Sequence, residues 1–257
     1  MRIAALQMQA VPGDVDANLA RIERAAVDAA AQGASLLIAP ELALTGYGAG
    51  KAILALAEPA NGQQIDRLAK IAAETSVTII AGFAEASEGA VWNSAACVDG
   101  KGNRSIYRKS NLYGGYEKNL FRPATPASVL FDHAGITCGM LICYDVEFPE
   151  NVRRLAKDGA KLIVVPTALP DGDSGRFIAE HVIRTRAFEN QVFVAYVNHC
   201  GDDGEFAYAG RSQIAAPDGS LLAQAGPQGE ALLFADIDVG AYAESYAANT
   251  YLRDLQV

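Results

Sequence analysis

The chain has 257 residues, of which 51% are hydrophobic and 20% charged. It can therefore bury a large core, and the disordered, collagen-like and coiled-coil classes are excluded. The formal net charge of −9 at pH 7 argues against nucleic acid as a partner, because no basic surface is available to neutralise phosphates.

The first half of the chain predicts strands and helices in alternation. The apolar segment Arg2–Gln9 predicts a strand, and apolar residues at helical spacing predict a helix over Asp14–Ala31. The short apolar run Ser35–Ala39 is typical of a buried strand, which we expect to be parallel to the first. The other elements predicted here are a helix over Gln64–Ser76 and strands over Val77–Glu85, Val91–Asp99 and Arg104–Arg108, the last two forming a hairpin.

The second half continues the same alternation. Strands are predicted over Ser128–Asp132, Ile136–Ile142, Lys161–Val165, Val192–Asn198, Gln213–Ala216, Leu221–Ala225 and Ala231–Asp238, and helices over Pro149–Lys157 and Arg176–Asn190. We expect a loop over Ala168–Arg176 and a tail that is mostly strand. Because no repeat, linker or change of composition divides the chain, residues 1–257 are predicted to form a single α/β domain.

The four cysteines and three histidines stand singly, without the spacing that a zinc site needs, so we expect neither a metal nor a cofactor. The chain does not open on a charged segment followed by a long apolar one, and no apolar run approaches the roughly 18 residues of a membrane span. We therefore expect a cytoplasmic protein with reduced thiols and no membrane partner.

Three reactive or ionisable side chains come directly after predicted strands: Glu41, Lys109 and Cys143. Reactive groups of open α/β sheets lie just beyond the carboxyl ends of the strands, which makes these three candidate catalytic residues. A thiol nucleophile needs a base that removes its proton and a donor for the oxyanion that follows attack. Glu41 fits the base and Lys109 the donor, although each residue alone could be a core thiol, a capping acid or a solvated lysine.

Histidine is the usual base of cysteine enzymes, so His133, His181 and His199 compete with Glu41. None of them follows a strand in the way that Glu41 does. His199 lies beside Cys200, and that pair stays open as an alternative site. Adjacent residues of a strand point to opposite faces, however, which argues against it.

Three segments carry a resemblance to a known family. Pro40–Tyr47, Tyr107–Lys109 and Leu141–Glu150 resemble, in order and separation, the three signature segments of the nitrilase superfamily of carbon–nitrogen hydrolases. Further likeness at Arg186–Asn190 and at the turn Pro217–Gly219 extends the resemblance over nearly the whole chain. It implies a four-layer α-β-β-α sandwich that is commonly paired, so we expect a homodimer or a higher homo-oligomer.

The resemblance also implies a mechanism. Cys143 attacks a carbonyl carbon, and Glu41 takes the thiol proton and passes it to the leaving ammonia. Lys109 and the backbone N–H of Tyr144 hold the oxyanion, and water then hydrolyses the thioester. Tyr116–Lys118 resembles the segment that carries a second glutamate, so Glu117 is expected to orient Lys109 and the substrate.

The sequence around Cys143 is similar to that of bacterial 5-aminovaleramide amidases and of R-stereoselective amidases, which the residues do not separate. We expect Glu147, Thr167 and Ala168 to contact the substrate together with Tyr144. A carboxylate at position 147 suits a substrate that carries an ammonium group. The alternative interpretation of Glu147 is an acid before a helix, paired with Arg153 or Arg154.

The predicted activity is hydrolysis of a small aliphatic amide, with an ω-amino amide such as 5-aminovaleramide favoured. An N-carbamoyl amine hydrolase and a nitrilase with the same Glu-Lys-Cys site stay open. A catalytically silent binding subunit is disfavoured because all four candidate catalytic side chains are present. A thiol redox sensor is disfavoured because Cys138, predicted on the same strand as Cys143, should face away from it.

Overall fold

The computed structural model of the protein describes residues 1–256, and within them twelve strands form two six-stranded sheets. In chain order the strands are β1 (Arg2–Gln7), β2 (Leu36–Ile38), β3 (Thr78–Ser87), β4 (Ala90–Val98), β5 (Arg104–Arg108), β6 (Leu130–His133), β7 (Ile136–Met140), β8 (Leu162–Thr167), β9 (Phe193–Asn198), β10 (Gln213–Ala215), β11 (Leu221–Gln224) and β12 (Ala231–Asp236). The order is β12-β1-β2-β3-β4-β5 in the first sheet and β11-β10-β9-β8-β7-β6 in the second.

Each sheet has a parallel centre and antiparallel edges. β1, β2 and β3 pair in parallel, and so do β7, β8 and β9. The parallel pairing of β1 with β2 confirms the prediction for the run at 35–39, and the hairpin of β4 and β5 is also confirmed. The parallel strands are buried on both faces, which explains their short continuous apolar runs.

Helices cover the outer face of each sheet. In chain order they are α1 (Val15–Ala31), α2 (Ala52–Leu56), α3 (Gln63–Thr75), α4 (Gly114–Leu120), α5 (Pro149–Lys157), α6 (Asp173–Phe177), α7 (Ile183–Asn190), α8 (Ala243–Ala248) and α9 (Tyr251–Asp254). α1 and α3 pack on the first sheet, and α7 packs on β9 and β10 of the second. No helix within residues 1–256 is long and apolar enough to cross a membrane.

Alternate residues of β1 enter different cores. Ile3 and Ala5 pack in a cluster that also holds strand residues of the second sheet. Ala4 and Leu6 pack with Leu19 of α1 in a separate cluster on the other face. Complete burial of one such large apolar side chain stabilises the fold by about 1.5–3 kcal/mol. The result is the four-layer α-β-β-α sandwich of a single α/β domain, as the resemblance implied.

The strands predicted in the tail are present as β10, β11 and β12, but the tail does not stay strand after them. The helices α8 and α9 follow and were not predicted; the alanine-rich segment AYAESYAA has high helix propensity. Helical structure also begins within the predicted loop, at Asp173, and continues to Asn190 through a π-turn over Ile178–Val182. The π-turn places Ile178 against the cavity described below.

Candidate active site

The turn that carries Glu41 packs tightly against the neighbouring strand. Glu41 lies three residues after β2, and the N–H of Gly82 in β3 donates to the Pro40 carbonyl at 3.0 Å. A Cβ atom on Gly82 would lie 2.1 Å from the Leu42 nitrogen and 2.6 Å from the Glu41 Cα. Only glycine therefore allows this approach, and the side chain of Glu41 is held at the strand end in complete burial.

Cys143 occupies a strained position. It begins a 3-10 turn over Cys143–Glu147, and its φ of +43° lies in the left-handed region that non-glycine residues rarely adopt. Such a conformation costs about 1–3 kcal/mol and persists only where the surroundings impose it. Because β7 ends at Met140, the expectation that Cys138 and Cys143 share a strand was wrong, and the alternation argument against their contact does not apply.

The buried carboxylate of Asp145 fixes the turn from the inside. It accepts hydrogen bonds from the hydroxyls of Tyr107 and Ser110, both at 2.8 Å, and from the Asn111 N–H at 2.7 Å. These three donors come from the end of β5 and the residues after it. They join the Cys143 turn of the second sheet to the strand end of the first, where Lys109 lies.

Lys109 joins the two candidate glutamates. Its ammonium donates to Glu41 Oε1 and to Glu117 Oε1, each at 2.7 Å, and the three side chains are at most 1% exposed. Glu117, on α4, is held further by the Tyr47 hydroxyl at 2.9 Å and the Tyr113 N–H at 2.8 Å. An ammonium has three donors, and the two carboxylates take two of those of Lys109.

The carboxylate of Glu41 has two unlike oxygens. Oε1 accepts from Lys109 and from the Asn93 side-chain amide, the latter at 2.6 Å. Oε2 is buried and has no hydrogen-bond partner. Asn93 was not identified from the sequence, where nothing distinguishes it within its strand.

None of the three histidines serves as the base in this arrangement. The ring Nε2 of His199 lies 2.7 Å from the backbone carbonyl of Glu41, so the histidine supports the backbone of the glutamate. Burial lowers the pKa of His199, which keeps the ring neutral. His133 contacts Ser35, and the Lys109 ammonium donates to Glu41 and Glu117 and not to a histidine.

Burial and neighbouring charges set the protonation states. Burial, together with the charge of Glu117, raises the pKa of Glu41 to about 7 against the opposing effect of Lys109. Burial and the charge of Glu41 raise the pKa of the Cys143 thiol well above its usual value. Burial acts to lower the pKa of Lys109, but the charges of Glu117 and Glu41 outweigh it and raise that pKa. The resting thiol is therefore protonated and needs a base.

A cavity of about 190 Å³ has Cys143 in its wall, whereas Glu41 and Lys109, both buried, are not among the described residues that line it. Of the residues expected to contact the substrate, Tyr144, Glu147 and Ala168 line it, and so does Glu117. Thr167 is not among its lining residues; the Thr167 hydroxyl instead donates to the Val165 carbonyl. The remaining wall was not predicted and consists of Tyr47, Tyr113, Leu169, Pro170, Asp171, Gly172, Asp173, Ser174, Gly175 and Ile178.

Glu147 lies in the cavity wall and is not paired with an arginine. Arg154 donates to Asn151 and to the Ala127 carbonyl, and the Arg186 guanidinium donates to the backbone carbonyl of Glu147 at 2.6 Å. Among the ion pairs of the described residues, none includes the Glu147 carboxylate. The alternative interpretation was right that Glu147 precedes a helix, α5, but wrong in pairing it with Arg153 or Arg154. Burial raises the pKa of Glu147 to about 7.

Comparison with known proteins finds a family and relatives that match nearly the whole chain. A family model described as carbon-nitrogen hydrolase matches residues 2–246. The "Hydrolase in pqqF 5'region" of Pseudomonas protegens is 43% identical over 99% of this chain and 88% of its own length. An (R)-stereoselective amidase of a Pseudomonas species is 32% identical over 99% of this chain and 91% of its own length.

Solved structures of one amidase resemble the whole chain. The amidase of the nitrilase superfamily from Nesterenkonia AN1 has a TM-score of 0.88 at 33% identity, over 100% of this chain and 95% of that one. A cysteine-to-alanine variant of that amidase has been solved in complex with butyramide. Another structure of it shows acrylamide added covalently at the active site cysteine.

Proposed function

The chain belongs to the carbon–nitrogen hydrolase family and hydrolyses carbon–nitrogen bonds, and we propose that its substrate is a small aliphatic ω-amino amide such as 5-aminovaleramide. The products are the corresponding carboxylate and ammonia. In this proposal Cys143 is the nucleophile, Glu41 the base and Lys109 an oxyanion donor.

The charge of the cavity is the observation that carries the proposal. Among the described residues, four carboxylates line it, and no lysine or arginine does. Lys109 balances Glu117 from behind, and Arg176 pairs with Asp173 at the surface. Glu147 forms no ion pair with the described residues, although the charges of Lys109 and Arg186 oppose the effect of its burial, so a substrate ammonium would supply the direct partner that its carboxylate lacks.

The size of the cavity supports a small substrate. A cavity of about 150 Å³ is large enough to hold benzene, and the volume here is about 190 Å³. 5-Aminovaleramide has two more non-hydrogen atoms than benzene and is therefore of a size that suits this cavity. The aromatic and aliphatic parts of the wall, such as Tyr144, Leu169 and Ile178, suit the methylene chain between the amide and the ammonium.

Acylation follows from the hydrogen bonds. Glu41 takes the proton of the Cys143 thiol as the sulfur attacks the amide carbon. The carbonyl oxygen becomes an oxyanion, which the free N–H of Lys109 and the backbone N–H of Tyr144 stabilise. When the carbon–nitrogen bond breaks, Glu41 returns the proton to the leaving amine, and ammonia departs from a thioester on Cys143.

Deacylation uses the same three groups, with water in place of the thiol as the attacking nucleophile. Glu41, ionised again after the departure of ammonia, removes a proton from water as the water oxygen attacks the thioester carbon. The carbon–sulfur bond then breaks, and the thiolate of Cys143 takes the proton from Glu41. Glu117 holds Lys109 in place through both steps, because its oxygen shares the ammonium with Glu41.

An ammonia-release assay tests this function. It compares 5-aminovaleramide with valeramide, an amino-acid amide, an N-carbamoyl amine and a nitrile, each with the wild-type protein and with Cys143→Ala. We expect the highest kcat/KM for 5-aminovaleramide and no release by the variant. Equal release by wild type and variant would refute the assignment of the nucleophile, and turnover of the nitrile or of the carbamoyl amine alone would replace the amidase by one of those activities.

We propose a homodimer as the assembled form, as the resemblance to the superfamily implies. Light scattering measures the molar mass directly, and twice the chain mass of 27.0 kDa is expected. A mass equal to one chain would contradict the proposal.

A further inference from the structure

We propose that Asn93 is a positioning residue that selects Oε2 of Glu41 as the oxygen that accepts the Cys143 proton. The inference rests on the proposed role of Glu41 as the base. It adds a residue outside the signature segments and a distinction between the two oxygens of one carboxylate.

The first step is the hydrogen bonding of the carboxylate. Glu41 Oε1 accepts from both Asn93 and Lys109, at 2.6 and 2.7 Å. Both donors approach the same oxygen, so Oε1 is engaged and Oε2 is left buried with no donor. A carboxylate oxygen with no partner in complete burial is the stronger proton acceptor of the two. Oε2 is therefore the oxygen poised to receive a proton.

The second step is the attachment of Asn93 itself. Asn93 lies on β4, and its backbone carbonyl accepts from the N–H of Lys109 at 2.8 Å. One residue thus holds the Glu41 carboxylate through its side chain and the Lys109 backbone through its main chain. Asn93 is 1% exposed and its side-chain amide donates to the Glu41 carboxylate, so it acts through Glu41.

The third step is the orientation of the amide group. The Asn93 Nδ2 faces the carboxylate, while Oδ1 is buried without a partner. A donor facing Glu41 stabilises its ionised form and lowers its pKa, and Asn93 is one of the groups that oppose the effect of burial there. This orientation leaves the Asn93 Oδ1 buried without a donor, which destabilises the fold. Asn93 therefore keeps part of the Glu41 population ionised near neutral pH.

The test is the pH profile of Asn93→Leu, which keeps the size of the side chain and removes the donor. Loss of one donor is expected to raise the pKa of Glu41 by about one unit, so the acid limb of kcat/KM moves up by that amount. Activity then falls about fivefold at pH 7 and recovers at pH 9, with KM unchanged. A loss that is equal at all pH values, or an unchanged profile, would overturn the proposal.

Asn190→Leu is the matched control. Asn190 is also fully buried, its amide donates to the Arg186 carbonyl at 2.9 Å, and its Oδ1 is likewise without a partner. Its replacement removes a comparable buried hydrogen bond that does not involve Glu41, and the acid limb is expected to stay at the wild-type pH. If the Asn190 variant shifts the limb as much as the Asn93 variant, the positioning role is refuted.

A second measurement separates this inference from the proposed function. Alkylation of Cys143 by iodoacetamide needs proton removal from the thiol but no amide hydrolysis, and Cys143→Ala supplies the background from the other cysteines. In Asn93→Leu, the acid limb of the alkylation rate against pH is expected to move up by the same amount as that of kcat/KM. If the leucine variant does not fold, the shorter Asn93→Ser takes its place. If the wild type hydrolyses no amide, the proposed function fails while alkylation still decides the role of Asn93; coincident alkylation profiles refute that role.

Discussion

Lys109 and Glu41 share a hydrogen bond of 2.7 Å although neither side chain has any exposed surface. Two opposite charges without water stabilise the fold only as a pair, because each one alone carries an uncompensated desolvation cost. Glu117 makes the pair a group of three, with the ammonium between two carboxylates. The same contact that orders the site therefore makes it sensitive to loss of any one charge.

Lys109→Met tests this dependence. Removal of the cation leaves Glu41 and Glu117 buried together, and the free energy of unfolding is expected to fall by about 3–5 kcal/mol. Urea unfolding at pH 7 measures it, with Lys101→Met as the control, since Lys101 is exposed and its loss should change stability by less than about 0.5 kcal/mol. Similar stability of the two variants would show that Lys109 does not compensate the buried charges of Glu41 and Glu117.

Glu41→Gln tests the base. The amide keeps the shape of the side chain and accepts no proton, so kcat is expected to fall by about 10²–10⁴-fold, the usual contribution of a positioned base. Circular dichroism and unfolding midpoints check that the fold is retained. Activity within tenfold of the wild type would move the base function to another group.

Glu147→Gln tests the recognition of the ammonium. Loss of the charge is expected to lower kcat/KM for 5-aminovaleramide by about tenfold or more, because a charge-assisted hydrogen bond contributes about 1.5–3 kcal/mol. The value for valeramide, which has no ammonium, should change little. Glu150→Gln, at an exposed position three residues on, is the control. An unchanged ratio of the two substrates in the Glu147 variant would remove this residue from substrate recognition.

The substrate preference should depend on pH. The pKa of Glu147 is raised to about 7, so its carboxylate is charged above that pH and neutral below it. The ratio of kcat/KM for 5-aminovaleramide to that for valeramide is expected to rise as the pH increases through about 7. Ionisation of Glu41, also near pH 7, affects both substrates and cancels in the ratio. A flat ratio in the wild type, or a rise that persists in Glu147→Gln, would be the contrary result.

Gly82→Ala tests the close approach of the Glu41 turn. The added methyl group would lie 2.1 Å from the Leu42 nitrogen, so the turn must move. A displacement of about 1 Å can reduce turnover about 10²-fold, and both kcat and stability are expected to fall. The control is Gly226→Ala, whose Cβ would lie 3.9 Å from the Gln228 carbonyl oxygen, the nearest atom beyond its chain neighbours. Normal turnover by the Gly82 variant would show that the position of Glu41 does not depend on this contact.

The strand ends could be predicted from the sequence, and with them Glu41, Lys109 and Cys143. Apolar runs are local signals, and reactive groups of α/β sheets lie just beyond the ends of such strands. Asn93 and Tyr47 could not be found in this way, because their partners, Glu41 and Glu117, lie 52 and 70 residues away. Such contacts depend on which strands become neighbours. Periodicity does not contain that information.

The helix that carries Glu117 and the two helices at the chain end were missed for another reason. They have four to seven residues, which is too short for a period of 3.6 to stand out. α4 also begins with two glycines, and glycine disfavours helices. Tertiary contacts stabilise these helices; Tyr251 of α9, for example, packs against Phe188 with ring centroids 5.7 Å apart.

The candidate base and the candidate nucleophile come from different sheets: Glu41 follows β2 of the first, and Cys143 follows β7 of the second. The relative position of Glu41 and Cys143 is therefore set by the packing of the two sheets against each other, and no single strand or helix determines it. A small slip between the layers would separate sulfur from carboxylate while every strand stayed paired. On gentle heating, turnover should therefore be lost before the circular dichroism changes. The catalytic rate thus reports the relative position of the two sheets.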